Sequence, residues 1–213
     1  MKPEKETLPS SADAAYELVP IGARFYDRGW VQGTSGNFSA VVARDPLRLA
    51  ITPSAAHKGR LEPGAFLQID EDCGVVSHKP ALPSAEARLH VQIVKARGAG
   101  AVLHTHSIWS TILSDRHATE GGLAIEGYEM LKGLDGVTTH EHREWIPIVA
   151  NDQDMVRLSG VVKDVLTAEP AAHAFLLRQH GLYTWGRTIA DAERHVEILE
   201  FLFEVIGRRS TAS

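Results

Sequence analysis

Apolar positions 14, 15, 18, 21 and 25 recur at helical spacing and predict an amphipathic helix from Ser10 or Ser11 to about Arg28. Pro20 lies inside it and predicts a kink or a restart. The breaker cluster GTSGN, from Gly33 to Asn37, follows. Strand-like runs come next at 38–43 and 47–51, with Asp45-Pro46 as the turn between them. Residues 52–63 read as loop, and short runs at 66–69 and 75–76 flank a turn at 71–74. Ser84 is expected to cap a helix to about Arg97, where Gly98 stops it. Residues 101–103 form a buried strand run that leads into His104-Thr105-His106, and Ser107 can cap a short helix after it. A short helix is expected at 126–132, stopped by Gly133, and a strand at 145–149. Asn151 is expected to cap a helix through about Ala168. Strands at 175–178 and 182–185 surround His180-Gly181. Thr188 with Asp191 resembles a capping box, opening a long helix with Ile198, Leu199, Leu202, Val205 and Ile206 on one face. Helices and strands interleave, which makes this α/β in one domain. Residues 1–9 read as a flexible arm and 10–213 as the domain.

Composition narrows the class. The 213 residues are 44% hydrophobic and 23% charged, enough for a full core and unlike a disordered tail. A net charge of −5 argues against a nucleic-acid binder, which needs a basic face. No apolar run approaches the ~20 residues of a membrane helix, and the charged N-terminus is no secretory signal. The single cysteine, Cys73, excludes an internal disulfide, so a cytoplasmic setting is expected.

The unusual count is 11 histidines. His104 and His106 lie two apart on a strand and so share a face, where two imidazoles can grip one divalent ion. His140 and His142 have the same spacing, but in a polar stretch that reads as solvated surface or outer support. His180, after a strand and before a permissive glycine, is the best third ligand. His57, His78, His90, His117, His173 and His195 have no comparable setting. The GTSGN turn and the helix start at Ser84 both suit an anion, and Ser54 with nearby Lys58 can add donors and a positive charge. Glu86, Glu126 and Glu129 are the carboxylates near these elements.

In order along the chain, GTSGN, TPS, PSAE, HTHS and HGLYTWG resemble the zinc-dependent class II aldolase family, over about residues 12–207. That resemblance implies a three-layer α/β/α domain with a mainly antiparallel sheet, one zinc per subunit, and a homotetramer with active sites at subunit interfaces. Zinc then falls on His104, His106 and His180. Phosphate contacts fall on Gly36, Asn37, Ser54 and Ser84. The segment Glu126-Gly-Tyr-Glu129-Met-Leu-Lys132-Gly133 is similar to one found in the family's ketose-phosphate dehydratases, whose glutamate maps to Glu129 as acid/base. Glu86, from the PSAE stretch, is its rival. Two departures stand out: Ala85 replaces a second serine, and Ala55 replaces the glycine after Ser54. The implied reaction is dehydration of a phosphorylated ketose. A class II sugar-phosphate aldolase and a non-catalytic aldolase-like interaction module are the alternatives. A non-metal hydrolase has no support, since no G-x-S-x-G is present.

Overall fold

The computed structural model describes residues 8–77 and 80–211, so most of the expected arm and His78 lie outside the described residues. Leu8, within the expected arm, packs against the core. Helix α1 (Ser11–Asp27) begins at Ser10, whose hydroxyl accepts from the Asp13 N–H in a complete capping box. It runs through Pro20 as one helix.

Eight strands follow: β1 (Asn37–Arg44), β2 (Leu47–Ile51), β3 (Leu67–Ile69), β4 (Ala101–Thr105), β5 (Gly122–Glu126), β6 (Arg143–Val149), β7 (Ala174–Leu177) and β8 (Gly181–Gly186). They form one sheet in the order β3-β2-β1-β4-β8-β7-β6-β5. Every pairing is antiparallel except β6 with β7. The remaining helices are α2 (Ala87–Arg97), α3 (Ile108–Arg116), α4 (Met155–Ala168) and α5 (Ile189–Thr211).

Strand alternation builds the layers. Val102 of β4 faces a core with residues of α2 and α4. Its neighbours Ala101 and Leu103 face the opposite core, with α1 and α5. A third cluster packs α3 and α5 against β5 to β8. Successive strand residues point to opposite faces, so each strand feeds two apolar layers. The result is the expected α/β/α arrangement around a mainly antiparallel sheet.

Several boundaries differ from the sequence expectation. Glu86, not Ser84, occupies the cap position of α2 and makes no side-chain cap bond there. The Ser84 carbonyl accepts from Ala87 N–H in the preceding turn. Asp154, not Asn151, caps α4, accepting from Val156 and Arg157 N–H. The short helix expected at 126–132 is a 3-10 helix at Glu129–Gly133, starting three residues later because β5 runs on to Glu126. Gly121 and Gly122 weaken the sequence signal for β5, but Leu123 and Ile125 alternate inward as a strand requires.

Candidate active site

Where β1 begins and β4, β6 and β7 finish, four side chains meet. His104 lies one residue before the end of β4, His106 follows the strand, His180 follows β7, and Glu86 precedes α2. Their ligand atoms all lie within 4.8 Å of one another. His106 Nε2 is 2.8 Å from His104 Nε2 and 3.0 Å from His180 Nε2. Glu86 Oε1 is 3.0 Å from His180 Nε2 and 3.5 Å from His104 Nε2. Sequence reasoning named all four, with Glu86 as one of three carboxylates near the histidines, and of those three it is Glu86 that joins them.

Two glycines permit this approach. A Cβ on Gly36, at φ +72°, would come within 2.5 Å of the His104 carbonyl oxygen. A Cβ on Gly181 would run into the Thr105 carbonyl, forcing β4 and β8 apart between His104 and His180.

Protonation follows from the contacts. His104 Nδ1 donates to the Leu182 carbonyl at 2.8 Å, leaving Nε2 with its lone pair toward the group. Burial holds the His104 imidazole below its usual range, though Glu86 pulls the other way. Burial also lowers His106, to about 2. For Glu86, burial acts to raise the carboxyl. His104 and His180 outweigh it and hold the group well below the usual carboxylate range. The neutral His104 and His106 rings and the Glu86 carboxylate therefore gather, with His180, at hydrogen-bond distance with few protons between them. Such a set fits a divalent cation, for which imidazole nitrogen and carboxylate oxygen are the ordinary donors. The His104 ring also stacks on Tyr183, at 3.8 Å between centroids.

A buried chain supports Glu86. Ser39 Oγ lies 2.7 Å from His90 Nδ1, His90 Nε2 lies 2.5 Å from Asn37 Oδ1, and Asn37 Nδ2 donates to Glu86 Oε2 at 2.5 Å. Burial lowers His90 to about 3, so the ring is neutral and carries one proton. Only one direction satisfies every atom. The serine hydroxyl donates to Nδ1, Nε2–H donates to the amide oxygen, and the amide nitrogen donates to the carboxylate. No local pattern marks this role for His90, because its partners lie 51 and 53 residues away.

The other expected site residues divide. The bridge between Pro53 and Pro83 sets the Ser54 turn beside Ser84. Ser84 Oγ accepts from the Glu86 N–H at 3.3 Å and lies 3.4 Å from Glu86 Oε2. Asn37 gives one amide N–H to Glu86 and its amide oxygen faces His90 Nε2, so the orientation of its side chain is fixed from both ends. Ser35 Oγ, in the same turn, is buried without a partner among the described residues. Lys58 is 1% exposed, and its ammonium donates to the carbonyls of Ala56 and Thr34 at 2.7 and 3.1 Å. It therefore ties the Gly33–Asn37 turn to the Ser54 turn from beneath. Burial lowers its pKa to about 8. Ala55 has φ +55°, the left-handed region that favours the glycine it replaces.

Glu129 is not brought to the group within this chain. Its side chain is 71% exposed and pairs with Lys132 at 2.7 Å. That hydrogen bond lowers its pKa. The strand before it ends with Glu126 opposite Arg143, at the start of β6, whereas Asn151 and His180 lie past the ends of β6 and β7. Glu129 thus sits at the opposite end of the sheet from His104, His106 and His180. Glu126 is exposed at that same end.

Comparison with known proteins agrees with this construction. Residues 16–206 match the family described as Class II Aldolase and Adducin N-terminal domain. A methylthioribulose-1-phosphate dehydratase of Methylococcus capsulatus is 45% identical over 196 residues, covering 91% of this chain and 93% of its own. One from Sorangium cellulosum is 40% identical, covering 92% of each. A solved L-fuculose 1-phosphate aldolase superposes with a TM-score of 0.77 over 99% of this chain and 91% of its own. At 20% identity, that last likeness speaks for the fold alone.

Proposed function

The chain belongs to the class II aldolase family, and from that premise we propose that it dehydrates 5-methylthioribulose 1-phosphate to 2,3-diketo-5-methylthiopentyl 1-phosphate. This makes it a hydro-lyase of methionine salvage, acting in the cytoplasm. The observation that carries the reading is near full-length likeness, at 45% identity, to a protein named for this reaction.

His104, His106 and His180 would hold the metal, with Glu86 as the fourth donor, and we assign it as zinc. When bound, the ion supplies Lewis-acid stabilisation of negative charge on the ketose oxygens. The chain's own groups do the rest. A carboxylate takes the proton from C3, the C4–O bond breaks, and the hydroxyl leaves as water once protonated. The remaining C3–C4 enol then tautomerises to the 2,3-diketone. Glu129 is assigned this proton transfer. Since it lies at the far end of its own sheet, it is assigned to the site of a neighbouring copy in a homotetramer. Its exposed turn is suited to that. Glu86 is kept ionised and oriented by the Ser39–His90–Asn37 chain. The phosphate is assigned to the Gly36 and Asn37 backbone with the Ser35, Ser54 and Ser84 hydroxyls. Lys58 serves there by holding two turns in register rather than by direct contact.

A sugar-phosphate aldolase reading keeps one specific support, since Glu86 lies in the donor group. Product identity separates the two. Zinc-loaded protein is mixed with 5-methylthioribulose 1-phosphate in deuterated buffer and followed by proton NMR. Dehydration removes the C4 carbinol signal and gives a diketone-type C4 that carries solvent deuterium, with no triose. Dihydroxyacetone phosphate in its place would establish C3–C4 cleavage and sink the dehydratase reading.

A further inference from the structure

One other set of imidazole and carboxylate donors gathers among the described residues: His142, Glu144 and His173. Glu144, on β6, is 1% exposed. His142 Nε2 lies 2.7 Å from Glu144 Oε2, and His173 Nδ1 lies 3.0 Å from the same oxygen. The His173 backbone N–H donates to Oε1 at 3.0 Å, which fixes the carboxylate plane.

The tautomer of His173 is set from behind. Its Nε2 donates to the Asp135 carbonyl at 2.8 Å, so in the neutral ring the Nδ1 lone pair points at Glu144. A lone pair and a carboxylate oxygen at 3.0 Å need a proton or a metal ion between them. A backbone carbonyl on the far nitrogen is also how metal-bound histidines are commonly oriented. The nearby His195 takes no part. Its Nδ1 donates to the Trp185 carbonyl at 2.7 Å and its Nε2 accepts from Asp135 N–H at 3.1 Å.

The first donor group provides an internal standard. Its close separations are 2.8 and 3.0 Å, against 2.7 and 3.0 Å here. Both sets join imidazoles from separate segments to one largely buried carboxylate. Burial acts to raise Glu144, but hydrogen bonds from His173 and His142 outweigh it and keep the group below the usual carboxylate range. The two sets are distinct in space. Glu144 and His173 precede or begin the parallel strands β6 and β7, while His180 follows β7, a strand length of roughly 15–20 Å away.

We propose that His142, Glu144 and His173 form a second divalent-cation site, which ties the turn carrying His142 to β6 and β7. Zinc fits the donors, and the partly exposed His142 side leaves room for water as a further ligand. A proton on His173 competes with the ion. Glu144 raises His173 against the lowering effect of burial, so loading is best done at about pH 8.

Metal-free protein is saturated with zinc, passed through gel filtration, and its zinc counted by elemental mass spectrometry. Wild type is expected to hold two ions per chain. Glu144→Gln and His142→Ala are each expected to hold one. His142→Ala removes a ligand at the surface, so its result does not depend on a disturbed core. The double variant His104→Ala/His106→Ala is expected to retain one ion, and His140→Ala two. A single ion in the wild type, or two ions in both His142→Ala and Glu144→Gln, would overturn the proposal.

Discussion

Where β4 and β7 finish, three imidazoles and Glu86 face one another, two of them aimed by groups behind: the Leu182 carbonyl for His104, Asn37 and His90 for Glu86. At the opposite end of the sheet Glu129 stands on a 3-10 turn, paired with Lys132 and 3.9 Å from His140. The two glutamates were equal candidates by residue type. Glu86 has its charge and direction set inside the chain. Glu129 has only exposed neighbours, so its environment depends on what covers the turn. A donor set can be complete in one chain while the proton-transfer group is supplied by another.

The largest expected effect breaks the first region outright. His104→Ala removes a donor and a fully buried ring together. Loss of several kcal/mol of charge stabilisation corresponds to a fall of about 10³-fold or more in kcat. Zinc content should fall by one ion per chain, measured on the same preparation. A variant with unchanged zinc and near-normal turnover would remove His104 from the site.

A smaller effect sharpens the contrast by touching only the support. His90→Leu leaves Asn37 Oδ1 buried without its donor and Ser39 without its acceptor. Unfolding free energy should drop by about 1–3 kcal/mol. With Glu86 no longer aimed, zinc affinity should weaken about 10- to 100-fold while the three histidines remain. Zinc competition against a chromophoric chelator measures this. Unchanged affinity would mean that the chain serves only packing.

How much of this was legible follows from the reach of each signal. Ser10, Ser107, Gly98 and the Thr188–Asp191 pair marked helix ends correctly, because a cap involves residues three or four apart. His104 and His106 were readable from strand periodicity. His180 was readable from its place between a strand and a glycine. Asn37 as a donor to Glu86, His90 as its support, and His173 beside Glu144 were not. Each depends on contacts across 29 to 53 residues, which carry no local pattern. Lys58 was read as a ligand for substrate because a lysine near a serine turn suggests an anion. In the fold two of its three N–H donors go to the Thr34 and Ala56 carbonyls, an arrangement that only tertiary structure reveals. Strand β5 was missed because a Gly-Gly start hides a five-residue alternation.

The effect that leaves the donor group itself untouched concerns a buried acid behind it. Glu200 on α5 accepts from Thr105 Oγ1 at 2.8 Å, between two of the histidines along the chain. Burial raises its pKa from 4.5 to about 7. The folded state therefore holds an extra proton between those values. The stabilisation is fully present below the unfolded pKa and is lost as the pH rises through the folded one, by about 3 kcal/mol in all. Glu200→Gln has no such proton to lose. Denaturant melts should show the variant gaining on wild type between pH 5 and pH 8, and a parallel pH dependence of the two proteins would contradict the assignment.

The central claim is that Glu129 acts in a neighbour's donor group, and co-expression of two dead variants tests it most directly. His104→Ala lacks the donor set and Glu129→Gln lacks the proton-transfer group, so each alone should be inactive. In mixed tetramers a site that takes its histidines from one chain and Glu129 from the other is intact. Random equal mixing should then restore about a quarter of wild-type kcat in a closed ring of identical contacts. Mixed tetramers that form, bind zinc and stay as inactive as their parents would contradict the account.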